Sequence, residues 1–483
     1  MAKYHSTLSR RDFMKALGFS AAGLGAAAAT APIFSDLDEV TSSTKALRNF
    51  PWYVKERDFE DPSFDIDWSL VQRMDQRITN AQSYSRSQEQ DAIYGREHKS
   101  EILKKHIQDR FPDWEPLVNN EGVIVASMGL LGRTTRDIAM GEGTAKSRGG
   151  WLNYMYAAKN KNDWTGIQEA ATPEQLGIPK WTGDPETNTR MVRAFARYVG
   201  GSDVGVSEIT PNIKKLFLKY DGSGKTYEFE DTEYGSYDGT KYVIPNKCNY
   251  VITWTMAEPT ETAIRVPTAH GGASTHICYS TMPMKSIQIQ EFIRALGYQG
   301  LSSYQSYNYG VGGSAPFGYM SGIGEHGRMC FVLISPNEGS TLRGMNRIIT
   351  DLPLAPTKPI DFGVFKFCKT CKICADKGCP FNALPKGDPS WDAEAYQPTG
   401  FNGFRLTTRL CTFCMACQAV CPFTELHGSF IHEIIKATTA NTTLFNGFFA
   451  QMEGTFGYGM KNPESWWDNM DSEPVNGLHG TYI

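Results

Sequence analysis

Hydrophobic and polar positions change rhythm along the chain. Up to about residue 165 they are mixed polar and aromatic, with a helix-like stretch from Glu97 to Phe111 and a loop-like run from Gly141 to Gly150. From about 166 the pattern becomes a mixed α/β one. Lys241-Tyr-Val-Ile-Pro and Tyr250-Val-Ile-Thr-Trp-Thr-Met are short and rich in β-branched and aromatic residues, which predicts strands. Between Met284 and Leu296 the apolar residues Ile289, Phe292, Ile293 and Leu296 take the i, i+3, i+4, i+7 spacing of one helix face, and Gly297 is a natural stop. Gly310 to Gly324 is glycine-rich, and Met329-Cys-Phe-Val-Leu-Ile predicts a further strand. Leu352-Pro-Leu-Ala-Pro-Thr-Lys-Pro marks a boundary before a cysteine-rich segment.

The first residues read as a signal and not as part of the fold. Ser9-Arg10-Arg11-Asp12-Phe13-Met14-Lys15 is a twin-arginine pair followed by an apolar residue and a lysine. A weakly hydrophobic run from Ala16 to Ala31 follows, and Ala29-Thr30-Ala31 before Pro32 has the small residues of a signal-peptidase site. The expectation is a signal peptide over 1–31 and export by the twin-arginine route, which carries folded proteins already loaded with cofactor. No later run reaches the ~18–20 continuous apolar residues of a membrane span. Firm membrane attachment would therefore come from a partner.

Eleven cysteines in an exported chain first suggest disulfides, but eight of them lie between Cys368 and Cys421. Cys248, Cys278 and Cys330 are scattered and read as buried free thiols. The eight form two motifs, Cys368-x2-Cys371-x2-Cys374-x4-Cys379-Pro380 and Cys411-x2-Cys414-x2-Cys417-x3-Cys421-Pro422. Three thiolates at this spacing wrap one corner of an iron–sulfur cube, while the fourth, ahead of proline, ligates the other cube in two-cluster ferredoxins. One [4Fe–4S] cluster then takes Cys368, Cys371, Cys374 and Cys421, and the other takes Cys379, Cys411, Cys414 and Cys417. Zinc also accepts four thiolates but prefers two separated pairs. The extra residue before Cys379 falls beside Gly378, which can absorb it.

Two clusters form a wire that delivers single electrons, and the more than three hundred residues ahead of them are enough for a catalytic domain with its own cofactor. The net charge of −4 gives no reason to expect a nucleic-acid partner. The glycines at 310, 312, 313, 318, 322 and 324 fit neither a dinucleotide nor a P-loop fingerprint. They read either as turns or as backbone lying close to a broad flat cofactor.

The order of twin-arginine signal, mixed α/β middle and double cluster resembles the respiratory reductive dehalogenases. Phe292-Ile-Arg-Ala-Leu-Gly-Tyr298, Gly324-Glu-His-Gly-Arg328 and Thr350-Asp-Leu-Pro-Leu-Ala-Pro356, followed by Phe367-Cys-Lys-Thr-Cys, look like that family's conserved blocks. The resemblance implies an α+β fold in which a nitroreductase-like α/β corrinoid-binding core spans 166–355. A region at 32–165 would pack on it, and a two-[4Fe–4S] ferredoxin-like domain would occupy 356–483. It implies a base-off corrinoid (cobalamin-type), an organohalide substrate and a role as terminal reductase of organohalide respiration. It also implies a small integral-membrane anchor subunit and an upstream electron donor in the membrane. The enzyme would sit on the outer face of the cytoplasmic membrane as a peripheral protein.

In that family a tyrosine protonates the dehalogenated carbon, with a basic neighbour lowering its pKa, since an ordinary tyrosine near ~10 is too weak an acid at neutral pH. By position relative to the blocks the tyrosine is Tyr279 and the basic partner Arg347, with Arg343, one helical turn earlier, as the alternative. Asn308 sits where some members place an active-site amide. His270, His276 and His326 are not assigned to cobalt. The competing readings are an epoxyqueuosine-reductase-like enzyme acting on tRNA, which should be cytosolic and basic, and a non-catalytic electron-transfer subunit.

Overall fold

The computed structural model describes residues 50–77, 90, 92–146, 162, 164–303, 310–392, 398–424, 430–456 and 459–468. The signal segment and Asn308 lie outside them. The fold mixes helices and strands, as the pattern predicts. Helix α1, Arg96–Gln108, buries Leu103 and Ile107, one turn apart, and continues through a turn to Phe111. Helix α2, Thr135–Lys146, runs through the first half of the stretch expected to be a loop. Asp137 accepts from the backbone N–H of Thr134 at 2.8 Å and of Arg133 at 3.0 Å and so satisfies the open start of this helix. Gly141 permits close packing, because a Cβ there would lie 2.7 Å from Ser127 Oγ.

Helix α3, Pro185–Tyr198, opens with Asp184 accepting from Thr187 N at 2.8 Å and packs Val192 and Ala196 inward. Strand β1, Val204–Glu208, and strand β2, Tyr250–Ala257, follow, the latter where the sequence predicts it. Lys241–Pro245 is also a strand, in a separate three-stranded sheet. Helix α4, Ala269–Ala295, is 27 residues long and starts fifteen residues before its apolar period does. Thr268 caps it by accepting from Gly271 N at 3.1 Å. The added N-terminal half is Ala-His-Gly-Gly-Ala-Ser-Thr, which has poor helix propensity. It is helical because it is buried: a Cβ on Gly271 would lie 2.3 Å from Val266 N, and one on Gly272 2.4 Å from Leu130 Cδ1.

Strand β3, Gly300–Leu301, helix α5, Ser314–Met320, and strand β4, Leu342–Thr350, complete the core. The central sheet has the order β1-β2-β4-β3 and is antiparallel throughout. Its α4 face packs Val206, Ile252, Trp254 and Ile348 against Cys278, Met282, Ile289 and Ile293. The other face packs Val251, Leu301, Met345 and Ile349 against Phe217 and Phe317.

Two sequence expectations fail here. Residues 329–334 form one isolated bridge, Ile334 with Glu325, and Cys330 takes the left-handed conformation at φ 51°. A continuous apolar run carries no period that separates a strand from a buried bend. Arg343 and Arg347 are not one helical turn apart, since both lie on β4.

The N-terminal segment reaches the cysteine segment directly: Lys55–Glu56 pairs antiparallel with Ile360–Asp361, and Gln90 Nε2 donates to Cys411 O at 2.7 Å. The extra residue before Cys379 is taken up in a wide turn, Cys374–Gly378. Gly378 is closed in, with a Cβ placed there only 2.5 Å from Val420 Cγ2. Among the described residues no helix is long and apolar enough to cross a membrane.

Candidate active site and cysteine centre

The two cysteine motifs fold back on each other, with all eight thiols unbridged. Cys374 lies within electrostatic reach of Cys368, Cys371 and Cys421, while Cys417 feels Cys379, Cys411 and Cys414. The ferredoxin rule groups the same cysteines. Cys417 also feels Cys374, so the sets adjoin. Burial pushes the Cys414 and Cys421 thiols up to about 12 and those of Cys374 and Cys417 well above the usual range. The free thiols are neutral, and metal loading must expel their protons. Among the described residues no three His, Cys, Asp or Glu side chains are placed to hold a single metal ion. The scattered Cys248, Cys278 and Cys330 are buried and in no disulfide, as expected.

The Gly324–Arg328 block locks the core to this segment. Arg328, 1% exposed, donates from Nε to Cys371 O at 2.9 Å and Cys368 O at 3.1 Å. Its Nη1 donates to Pro385 O and Gly387 O, both at 2.8 Å, and its Nη2 to Cys368 O. The guanidinium also lies 4.4 Å over the Phe404 ring. Glu325 accepts from the backbone N–H of Phe362 at 2.6 Å and of Val364 at 3.1 Å, at the start of the helix that carries Cys368. His326 accepts at Nε2 from Phe404 N at 2.9 Å, and its Nδ1 bonds the Tyr319 hydroxyl at 2.8 Å. Burial holds this imidazole down at about 3, so it is neutral, with both nitrogens engaged.

The sequence-predicted catalytic residues are only partly brought together. A bulge between Arg343 and Asn346, with Gly344 at φ 60°, flips the alternation of β4. Arg343, Asn346 and Ile348 face α4, whereas Met345 and Arg347 face away. Arg347 is therefore on the sheet face opposite Tyr279. It donates to Ser314 Oγ at 2.7 Å and to the carbonyls of Gly312 at 3.0 Å and of Met345. Burial lowers it to about 10, opposed by nearby Tyr227, whose hydroxyl donates to Ser303 Oγ at 3.0 Å and Gly310 O at 3.3 Å.

Tyr279 is half-buried on α4. Thr275, Tyr279, Met282 and Ser286 recur at helical spacing and form one stripe. Three of the four meet β4: Thr275 bonds Arg343 Nε at 3.4 Å, Met282 lies under Gly344, and Ser286 accepts from Asn346 at 2.9 Å. The arginine on the side of Tyr279 is thus Arg343. It pairs with buried Glu258 at 2.7 Å and donates to Gln418 Oε1 at 2.5 Å, one residue from Cys417. Thr275 Oγ1 donates to the same Glu258 oxygen at 2.7 Å. Glu258 and Gln418 were not singled out from the sequence, because an isolated buried polar residue leaves no periodic signature.

The glycine-rich segment serves internal packing. A Cβ on Gly312 would lie 2.3 Å from Leu216 O, and one on Gly324 2.2 Å from Ile334 O, so these bare positions are already filled by protein.

Residues 49–354 match the reductive dehalogenase subunit family. The chain belongs to that family. It is 35% identical to the chloroethene reductive dehalogenase of Dehalococcoides mccartyi strain VS over 99% of each chain. It is 33% identical to the trichloroethene reductive dehalogenase of Dehalococcoides mccartyi strain 195 over 98% of each. Among solved structures, the catabolic reductive dehalogenase NpRdhA superposes with a TM-score of 0.54 at 19% identity, over 88% of this chain and 52% of that one. A reductive dehalogenase whose structure suggests a mechanism for B12-dependent dehalogenation gives 0.54 at 17%, over 93% and 55%. This dehalogenase spans about half the length of those structures and nearly the whole of its curated relatives. As a family member it is an oxidoreductase acting on halogenated organic compounds. Full-length agreement with dehalogenases displaces both the tRNA-enzyme and the electron-carrier readings.

Proposed function

We propose that this dehalogenase replaces halogen by hydrogen on a chlorinated ethene or a similarly small organohalide, consuming two electrons and one proton and releasing halide. The observation that carries the substrate class is the likeness, over nearly the full length, to enzymes named for chloroethene and trichloroethene. The finer architecture belongs to the same reading: a nitroreductase-like core over 166–355 and a ferredoxin-like two-cluster domain over 356–483. Cys368, Cys371, Cys374 and Cys421 would hold one [4Fe–4S] cluster, and Cys379, Cys411, Cys414 and Cys417 the other. Their electrostatic grouping supports this. The clusters would bring electrons one at a time.

The residues fit a corrinoid on one count. Beside α4, Glu258 Oε2 and both ring nitrogens of His270 are buried without a partner among the described residues. The amide-bearing rim of a corrinoid offers donors and acceptors to such atoms, so Glu258 and His270 would hold the rim. When bound, the corrinoid supplies the low-valent cobalt that breaks the carbon–halogen bond. The chain's own task is the proton. Tyr279 donates it from its hydroxyl to the dehalogenated carbon, and Arg343, on the same side of the sheet, stabilises the phenolate left behind. Arg347, expected as the basic partner, lies on the far face of the sheet, and Asn308 lies outside the described residues. Tyr227 with Arg347 is the second Tyr–Arg pairing, but its hydroxyl is already committed to Ser303 and Gly310.

Export through Arg10 and Arg11, a small membrane-anchor subunit, a membrane electron donor and a place on the outer face of the cytoplasmic membrane complete the proposal. They rest on the twin-arginine motif and the family resemblance. The test is a halide-release panel with reduced viologen as donor. Release from chloroethenes supports the reading. Release only from haloaromatics, or none from fully loaded protein, rejects the substrate class.

A further inference from the structure

The buried group around Arg343 is built from four separate parts of the chain. Glu258 directly follows β2, Thr275 stands on α4, Arg343 lies at the start of β4, and Gln418 belongs to the second cysteine motif. Glu258 is fully buried, and its Oε1 takes both Arg343 Nε and the Thr275 hydroxyl at 2.7 Å. Gln418 takes Arg343 Nη2 at 2.5 Å and itself donates to Ser340 O. The guanidinium is thus held from two sides, by a carboxylate and by an amide next to Cys417. One helical turn along the same stripe from Thr275 stands Tyr279.

We infer that Glu258 is a positioning residue of the dehalogenation site, one that fixes Arg343 toward the Tyr279 stripe and moderates the positive charge the tyrosine feels. The inference rests on the reading of Tyr279 as donor with Arg343 as its partner. A bare guanidinium near a phenol favours the phenolate strongly, and a tyrosine already ionised has no proton to give. The Glu258 carboxyl, which burial pushes up and Arg343 pulls back down, reduces the effective charge of that guanidinium where it is ionised. Glu258 therefore keeps Tyr279 protonated until the carbon needs its proton. Among the described residues, Cys278 on α4 also feels Glu258 and Arg343, and with them Lys285 on α4 and Glu338 before β4. Cys278 is a neutral thiol, so none of these three duplicates the direct Glu258 contact.

The experiment is a ¹⁹F titration of the full-length, cofactor-loaded protein carrying 3-fluorotyrosine at position 279, made in the parent, Glu258→Gln and Arg343→Met backgrounds. Gln keeps an acceptor for Arg343 and Thr275 but removes the charge. The expected result is a midpoint lower by about one pH unit in Glu258→Gln and higher in Arg343→Met, following the sign of the charge removed. The alkaline limb of the rate profile of Glu258→Gln should move down with it, whereas loss of packing alone would lower the rate at every pH without moving the limb. Glu258→Asp keeps the charge and should return the midpoint toward the parent value. If Arg343→Met leaves the midpoint where it was, the Tyr279–Arg343 pairing itself is wrong, and the inference goes with it. If Arg343→Met moves the midpoint but Glu258→Gln does not, the pairing stands and Glu258 has only a packing role. Should Glu258→Gln load poorly, the parent with Gln418→Leu separates the cases: it releases the other side of Arg343 without changing charge. A Gln418→Leu midpoint displaced from the parent's by about one pH unit overturns the charge argument.

Discussion

Replacing Arg328 by Lys preserves the charge and removes the planar fork, which is what the structure uses. The guanidinium spans four carbonyls, those of Cys368, Cys371, Pro385 and Gly387, from a position 1% exposed. A single ammonium cannot reach both the Cys368–Cys371 pair and the Pro385–Gly387 pair, so at least two buried carbonyls lose their donor. Each costs about 1–3 kcal/mol, and the lost contact with Phe404 adds about 0.5–2 kcal/mol. The sum is about 2.5–8 kcal/mol, which is a large part of the ~5–15 kcal/mol that stabilises a typical domain. The loss falls on the helix end that presents Cys368 and Cys371, so it should appear first as failure to hold one cluster. Anaerobically reconstituted Arg328→Lys is expected to keep about half the parent's iron, the Cys379, Cys411, Cys414 and Cys417 set remaining loaded. Iron and sulfide analysis reads the first effect, and denaturant unfolding of the same samples reads the second. Equal iron and an equal unfolding midpoint in Arg328→Lys and parent would refute the clamp.

Anaerobic purification of the parent should give about eight irons and one cobalt per chain, and stoichiometric zinc at the cysteines would sink the cluster assignment. Tyr279→Phe, with cofactors retained, should lose turnover by roughly 10²–10⁴. Arg343→Met should approach the same defect, and Arg347→Met should act through folding instead; a larger catalytic loss at Arg347 with full loading would return the basic role to the opposite face. Replacing Arg10 and Arg11 by Lys should leave precursor in the cytoplasm, with the mature N-terminus of the parent near Pro32, and unchanged export would remove the signal. Burial holds His270 down at about 4 against 6.5 in the unfolded chain, so its neutral form stabilises the fold fully above pH 6.5, and that stability is lost as pH falls toward 4. In His270→Phe the drop in unfolding free energy from pH 7.5 to 5 should be smaller than in the parent by about 2 kcal/mol; an equal drop would mean that His270 takes up its proton in the folded state.

What the sequence determined by itself is what short-range spacing encodes. The eight cysteines and their division into two sets follow from Cys-x2-Cys-x2-Cys and Cys-Pro, because ligand loops are local and their geometry repeats wherever the spacing does. Strand β2, α1 and the C-terminal end of α4 follow from periodicity for the same reason, and the blocks around Phe292, Gly324 and Thr350 carry the family. Other features became visible only when distant segments met. The first half of α4 has the composition of a loop and is helical because burial beneath Leu130 and Val266 leaves no room for anything else. Arg343 and Arg347 differ in the sequence by four positions and in the structure by a whole sheet, since one bulge at Gly344 puts on opposite faces two residues that an unbroken strand would put on the same one. Glu258, Thr275 and Gln418 converge on Arg343 from positions as far as 160 residues apart, and no local pattern can register a partnership that exists only across a packed interface.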